Sequence, residues 1–217
     1  MNEMVIRIGA DEKIAVEETE NGVKRVKYIS PEDLDQCIRR SAEMKISSGL
    51  LPDGCLSYSE DDTGARYVTM LHRAERANIS YYKTEHLDFP LPQLVFGFHI
   101  KADGKVWGVK LGVTERNTRL KPTSQMFVYP FSNVNGFSLC TGNNVLPQCK
   151  SLHTLASIPH YILSMPNNND YFQVTRNKAQ MELRELFEHL KDKSPEYYYT
   201  DVLLPMGGST LKDFMEQ

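Results

Sequence analysis

The sequence predicts an α+β fold, and three observations lead there. Strand-like runs crowd the middle of the chain, where apolar residues alternate with others and are cut by turn formers. Helix signals flank that block. Ser30-Pro31-Glu32-Asp33 opens one helix, and residues 177–191 place Leu183, Leu186, Phe187 and Leu190 on one face. The order is therefore helix, then strands, then helices, which predicts an antiparallel β-meander with flanking helices and an added N-terminal β-hairpin.

Residues 4–29 read as strands. Met4 to Ile8 is short and apolar-rich, and the segments around Val16 and Val26 flank Asn21-Gly22, a strong hairpin signal. Ser30 can cap the helix that follows, Pro31 suits its first position, and Glu32 and Asp33 favour its positive end. Leu34, Cys37, Ile38, Ala42 and Lys45-Ile46 then recur at helical spacing until Gly49 and Pro52 stop them. Cys37 is thus expected in the core.

Residues 56–58, 66–71 and 79–82 read as strands, with Asp61-Asp62-Thr63-Gly64 as a turn. His72, Arg73 and Arg76 form a small basic cluster that reads as a solvated strand edge or as an anion site. Phe89-Pro90-Leu91-Pro92 is a rigid lead-in. Residues 93–100 and 105–113 pair across Ala102-Asp103-Gly104, each with one apolar face; Trp107 is expected to pack there with Val109, Leu111 and Val113. Residues 114–122 form a polar loop. Residues 151–163 have helix character interrupted at Pro159, residues 195–204 pack back, and residues 209–214 form a terminal helix.

The totals bound the function. A chain of 217 residues holds one domain, or one domain with an appendage. A net charge of -3 provides no broad basic field, so duplex nucleic acid is not an expected partner. No apolar run approaches the roughly 20 residues of a membrane helix. The start lacks the pattern of a secretory signal, so Cys37, Cys55, Cys140 and Cys149 read as reduced thiols of a cytoplasmic protein. Cys149 and His153 have a spacing a metal can use, but no second pair completes a site.

The most informative stretch starts at Tyr129-Pro130 and runs through Asn133-Val134-Asn135-Gly136 to Cys140-Thr141-Gly142-Asn143. A short strand enters it and turn formers break it. Small polar neighbours leave a sulfur reachable, and backbone N–H groups in such turns can bind an oxyanion. The competing account is that Cys140 is one more small buried hydrophobe.

This order of strand, Tyr-Pro, Asn-Val-Asn, Gly and Cys resembles the active-site segment of ubiquitin-conjugating enzymes, with their His-Pro-Asn turn and acceptor cysteine. Upstream, Arg119-Leu120-Lys121-Pro122-Thr123, Leu94-Val95-Phe96 and Leu50-Leu51-Pro52 resemble prokaryotic ubiquitin-conjugating-like family D, which includes the B protein of the PRTRC cassettes. The resemblance implies a ubiquitin-conjugating-enzyme-like fold over residues 30–217, with residues 1–29 as a β-hairpin appendage. It implies Cys140 as the acceptor of a ubiquitin-like protein, delivered as a thioester by a ThiF-like activating enzyme and passed to an amine or hydroxyl. A JAB-type peptidase would share the pathway. The chemistry needs no metal and no organic cofactor.

The oxyanion role falls to Asn133, to Asn135, or to backbone N–H groups at Gly142 and Asn143. Asn133 stands one residue closer to the cysteine than the family spacing, and Phe131-Ser132 separate it from Tyr129-Pro130. Arg116, Arg119 and Lys121 are candidates for holding a partner's carboxylates. His153 and His160 are the downstream imidazoles that a Cys-His hydrolase would require. A conjugating-like scaffold that binds the modifier or its activating enzyme without carrying a thioester is the main alternative; a maintenance factor without modifier chemistry is a third.

Overall fold

The computed structural model describes residues 3–9, 13–20, 22–41 and 48–216. The chain divides into two compact units, Met1–Gly49 and Leu50–Gln217.

The first unit contains strands β1 (Glu3–Ile8), β2 (Ile14–Glu20) and β3 (Val23–Ile29), antiparallel in the order β1-β2-β3. Glu20 pairs with Val23 across a turn in which Gly22 takes φ 81°, a value that favours glycine. Asn21 of the expected turn lies outside the described residues. Helix α1 (Pro31–Ser41) begins at a reciprocal cap: the Asp33 N–H donates to Ser30 Oγ at 3.1 Å, and the Asp33 carboxylate accepts from the Ser30 N–H at 3.4 Å. Ala42, Lys45 and Ile46 lie outside the described residues. Cys37 is exposed, which corrects the expectation that it is core. Ile14 is the one buried apolar side chain of this unit among the described residues, so one small sheet and one helix do not enclose a helix face.

In the second unit, β4 (Cys55–Glu60), β5 (Arg66–His72), β8 (Leu94–Ile100) and β9 (Val106–Thr114) form the body of an antiparallel sheet. Between β5 and β8 lie β6 (Arg76–Tyr81) and β7 (Thr84–Pro90). Beyond β9 follow β10 (Gln125–Phe127), β11 (Val134–Asn135) and β12 (Ser138–Leu139). The main path is β11-β12-β9-β8-β5-β4, and β10 bonds both β9 and β14 (Pro205–Thr210). Phe96, Phe98, Ile100, Leu111 and Val113 fill the principal core from β8 and β9.

Trp107 departs from its expected place. It is 54% exposed and lies 5.2 Å from the His99 ring. The β8–β9 register slips between His99↔Gly108 and Ile100↔Val106, so Trp107 is the extra residue of a bulge and Val106 takes the inward position.

The helices follow. Leu152–Ala156 is a 3-10 turn and α2 (Ile158–Ser164) carries Pro159 in its first turn, where a proline is tolerated. The long helix expected over residues 177–191 is only α3 (Leu183–Leu190). Its N-terminal part is unwound because the buried Asn177 side chain bonds both the N–H and the C=O of Met181, each at 3.3 Å. Tyr198–Val202 packs back as a π-turn, with the Tyr198 hydroxyl donating to the Pro90 carbonyl at 2.8 Å. Helix α4 (Leu211–Glu216) covers the second face of the sheet: Phe214 meets Phe137 there, 4.9 Å between rings, and the buried Lys110 ammonium donates to the Phe214 carbonyl.

One sheet has no counterpart in the sequence reading. β6 and β7 pair antiparallel, and β13 (Pro166–Asn167) joins β6 in parallel, giving the order β13-β6-β7. Its turn is held by Tyr82 at φ 50°, without the Asn-Gly signal that marks a hairpin. No helix among the described residues is long and apolar enough to cross a membrane.

Candidate active site

Cys140 sits at the end of a hairpin built by local chemistry. β11 and β12 pair through Val134↔Leu139 and Asn135↔Ser138, and Gly136 at φ 59° opens the two-residue turn. The hairpin is pinned to β9: Ser138 pairs with Lys110, and the Leu111 N–H donates to the Phe137 carbonyl at 2.8 Å. One step beyond the strands, the Cys140 N–H donates to the Asn133 carbonyl at 2.8 Å, so the two residues stand opposite each other.

Asn133 is itself fixed. Its N–H donates to the Asp170 carbonyl at 2.7 Å, and its φ of 64° is the left-handed conformation that asparagine tolerates better than most residues. Phe131, two residues earlier, stacks on Phe187 at 4.9 Å and anchors the loop in the core. The Asn133 amide has no hydrogen-bond partner among the described residues, so it is available to a ligand.

Cys140 is exposed, not buried in packed side chains. Cys149 is the buried one, its thiol pushed up by burial and donating to the Ser151 carbonyl at 3.2 Å. Beside Cys140 a crevice of about 30 Å³ leads inward past Asn133 and Leu139 to Tyr129, Ser132 and Asn167. Asn167 reaches it because β13 runs beside β6, where its Nδ2 donates to the Ser80 carbonyl at 2.9 Å. Ser132 is fully buried and its hydroxyl lies 3.4 Å from Asn167 Oδ1. Neither residue stood out in the sequence: Asn167 belongs to a loop 27 residues beyond the cysteine, and only the parallel pairing brings it back.

The other candidates are spread out. Asn135, Gly142 and Asn143 are exposed and do not line the crevice; Gly142 takes φ 56°. His153 and His160 do not line it either. His160 instead meets the buried His72, 5.0 Å between rings, and burial together with His160 pushes the His72 pKa down to about 4. Arg116 is engaged by Glu75 at 2.7 Å and by Glu196, whereas Arg119 and Lys121 are exposed and make no ion pair among the described residues. No group of three or more metal-ligating side chains forms among the described residues.

The sequence model of prokaryotic E2 family D matches residues 34–206, well over half of the chain. The chain belongs to this family. Membership carries a conjugating-enzyme-like role in general terms, with a ubiquitin-like protein and its activating enzyme as the general class of partner. The mixed α+β architecture, mostly antiparallel with few helices, agrees with it. No curated protein and no solved structure matches the chain. Within this family D protein, the matched span contains the hairpin of Asn133 and Cys140 and the strand that supplies Asn167.

Proposed function

We propose that the protein accepts a ubiquitin-like protein on Cys140 as a thioester and transfers it to an amine or hydroxyl. A ThiF-like activating enzyme would supply the charged modifier, and a JAB-type peptidase would act in the same pathway. The observation that carries the proposal is the pairing of an exposed Cys140 with Asn133 across one hairpin. A thiolate there attacks the activating enzyme's thioester carbonyl and expels that enzyme's thiolate. An incoming amine then attacks the new thioester, Cys140 sulfur leaves, and the amine's proton passes to solvent. The free Asn133 amide is suited to donate to the oxyanion of both steps. Asn135 and the N–H groups of Gly142 and Asn143 are alternative donors that lie outside the crevice. Exposed Arg119 and Lys121 suit an acidic partner surface.

We assign the conjugating-like arrangement to residues 30–217, with residues 1–29 as an appendage. A family match that starts at residue 34, inside α1, supports this boundary, although α1 belongs to the first compact unit, Met1–Gly49. A scaffold that binds the modifier without chemistry is favoured by one observation: no carboxylate and no imidazole is among the residues lining the crevice.

The charging assay separates the two. With activating enzyme, modifier and ATP, the wild type gains a band that reductant removes. Cys140→Ser converts it to a reductant-resistant ester or abolishes it, while changes at Cys37, Cys55 and Cys149 leave it. A wild type that never gains the band beside a demonstrably charged activating enzyme overturns the enzyme in favour of the scaffold.

A further inference from the structure

The crevice beside Cys140 contains four polar side chains, and their hydrogens are not equally available. Asn167 commits an amide hydrogen to the Ser80 carbonyl, and Ser132 faces Asn167 Oδ1. The Asn133 amide is free. The fourth group is Tyr129, only 6% exposed, whose hydroxyl has no hydrogen-bond partner among the described residues. The hydroxyl itself is not sealed off, so it is open to whatever enters the crevice. The available room, about 30 Å³, is enough for one or two water-sized groups. Burial pushes the Tyr129 pKa up, so the phenol keeps its proton and acts as a donor.

We infer that Tyr129 is a second catalytic donor, its hydroxyl meeting the carbonyl oxygen of an acyl group linked to Cys140. This rests on the thioester reading of Cys140. When an amine attacks that carbonyl, the C–N bond forms and the oxygen takes the negative charge. When the C=O re-forms, the C–S bond breaks and sulfur leaves as thiolate. The Tyr129 proton stays on the phenol throughout, stabilising the oxygen by a hydrogen bond alone.

The test is single-turnover discharge of the charged protein to hydroxylamine after the activating enzyme is quenched. Tyr129→Phe keeps the ring that packs edge-on to Phe131 at 5.5 Å and removes only the hydroxyl. It is expected to charge to the wild-type endpoint, to keep or raise Tm, and to discharge more slowly by on the order of 10–100-fold. Tyr129→Met removes the same hydroxyl by another route and is expected to show the same slowing. Tyr58→Phe, which loses a hydroxyl bonded to Glu60 outside the crevice, discharges at the wild-type rate. Discharge of both Tyr129 variants at the wild-type rate overturns the inference and leaves the thioester reading standing. A wild type that never charges overturns both.

Discussion

Replacing Asn133 separates what its backbone does from what its amide does. At φ 64° an ordinary L-residue is strained by about 1–2 kcal/mol, whereas glycine is not. Asn133→Ala should therefore lose about 1 kcal/mol relative to wild type, a fall of about 2–4 °C in Tm for a domain of this size. Asn133→Gly should recover most of that fall. Asn133→Asp, which tolerates the same φ but has no N–H to give, should fold like wild type. In discharge of the Cys140 thioester all three should look alike, slowed by on the order of 10²–10³ because each lacks the amide donor. The measurements are scanning calorimetry and single-turnover discharge on the same preparations. Equal Tm for the Ala and Gly variants would show that the backbone at Asn133 is not what limits substitution. Discharge by Asn133→Gly at the wild-type rate would falsify the donor role and shift it to Asn135 or to the N–H groups of Gly142 and Asn143.

Two further outcomes concern stability. His72 has a pKa held near 4 in the fold against an ordinary 6.5, so between those values the unfolded chain binds more protons and stability rises with pH. The gap corresponds to about 3 kcal/mol; His72→Phe should flatten the slope of unfolding free energy over that window, and an unchanged slope refutes it. At Gly112 a Cβ would stand 2.6 Å from Met126 Cε and 3.1 Å from the Phe214 ring, so Gly112→Ala should cost about 1–3 kcal/mol in urea unfolding; a neutral result would mean that the Met126 methyl and the Phe214 ring give way.

The local grammar of the chain was legible wherever one residue type settles the backbone. Ser30-Pro31 started α1, Gly104 closed the turn between β8 and β9, and alternation marked the faces of β8. What escaped was decided by distant partners. Trp107 faces outward because a bulge shifts its register against His99, and alternation alone cannot see a bulge. Residues 177–182 have helical spacing but lose the helix to one buried amide, Asn177. The β6–β7 hairpin turns on Tyr82 and Lys83, which carry no turn signature. At the candidate site, turn formers alone left Cys140 open between a loop thiol and a buried hydrophobe, and it was the resemblance to conjugating enzymes that drew out Cys140 and Asn133. Ser132 and Asn167 could not be picked out, since their meeting depends on a parallel pairing between segments far apart in sequence.

The bonds from β9 to Phe137 and Ser138 tie the hairpin that ends at Cys140 to the central sheet. On the thioester proposal, an acyl group on Cys140 is therefore presented from a fixed edge, and whatever docks beside it meets the same geometry each time.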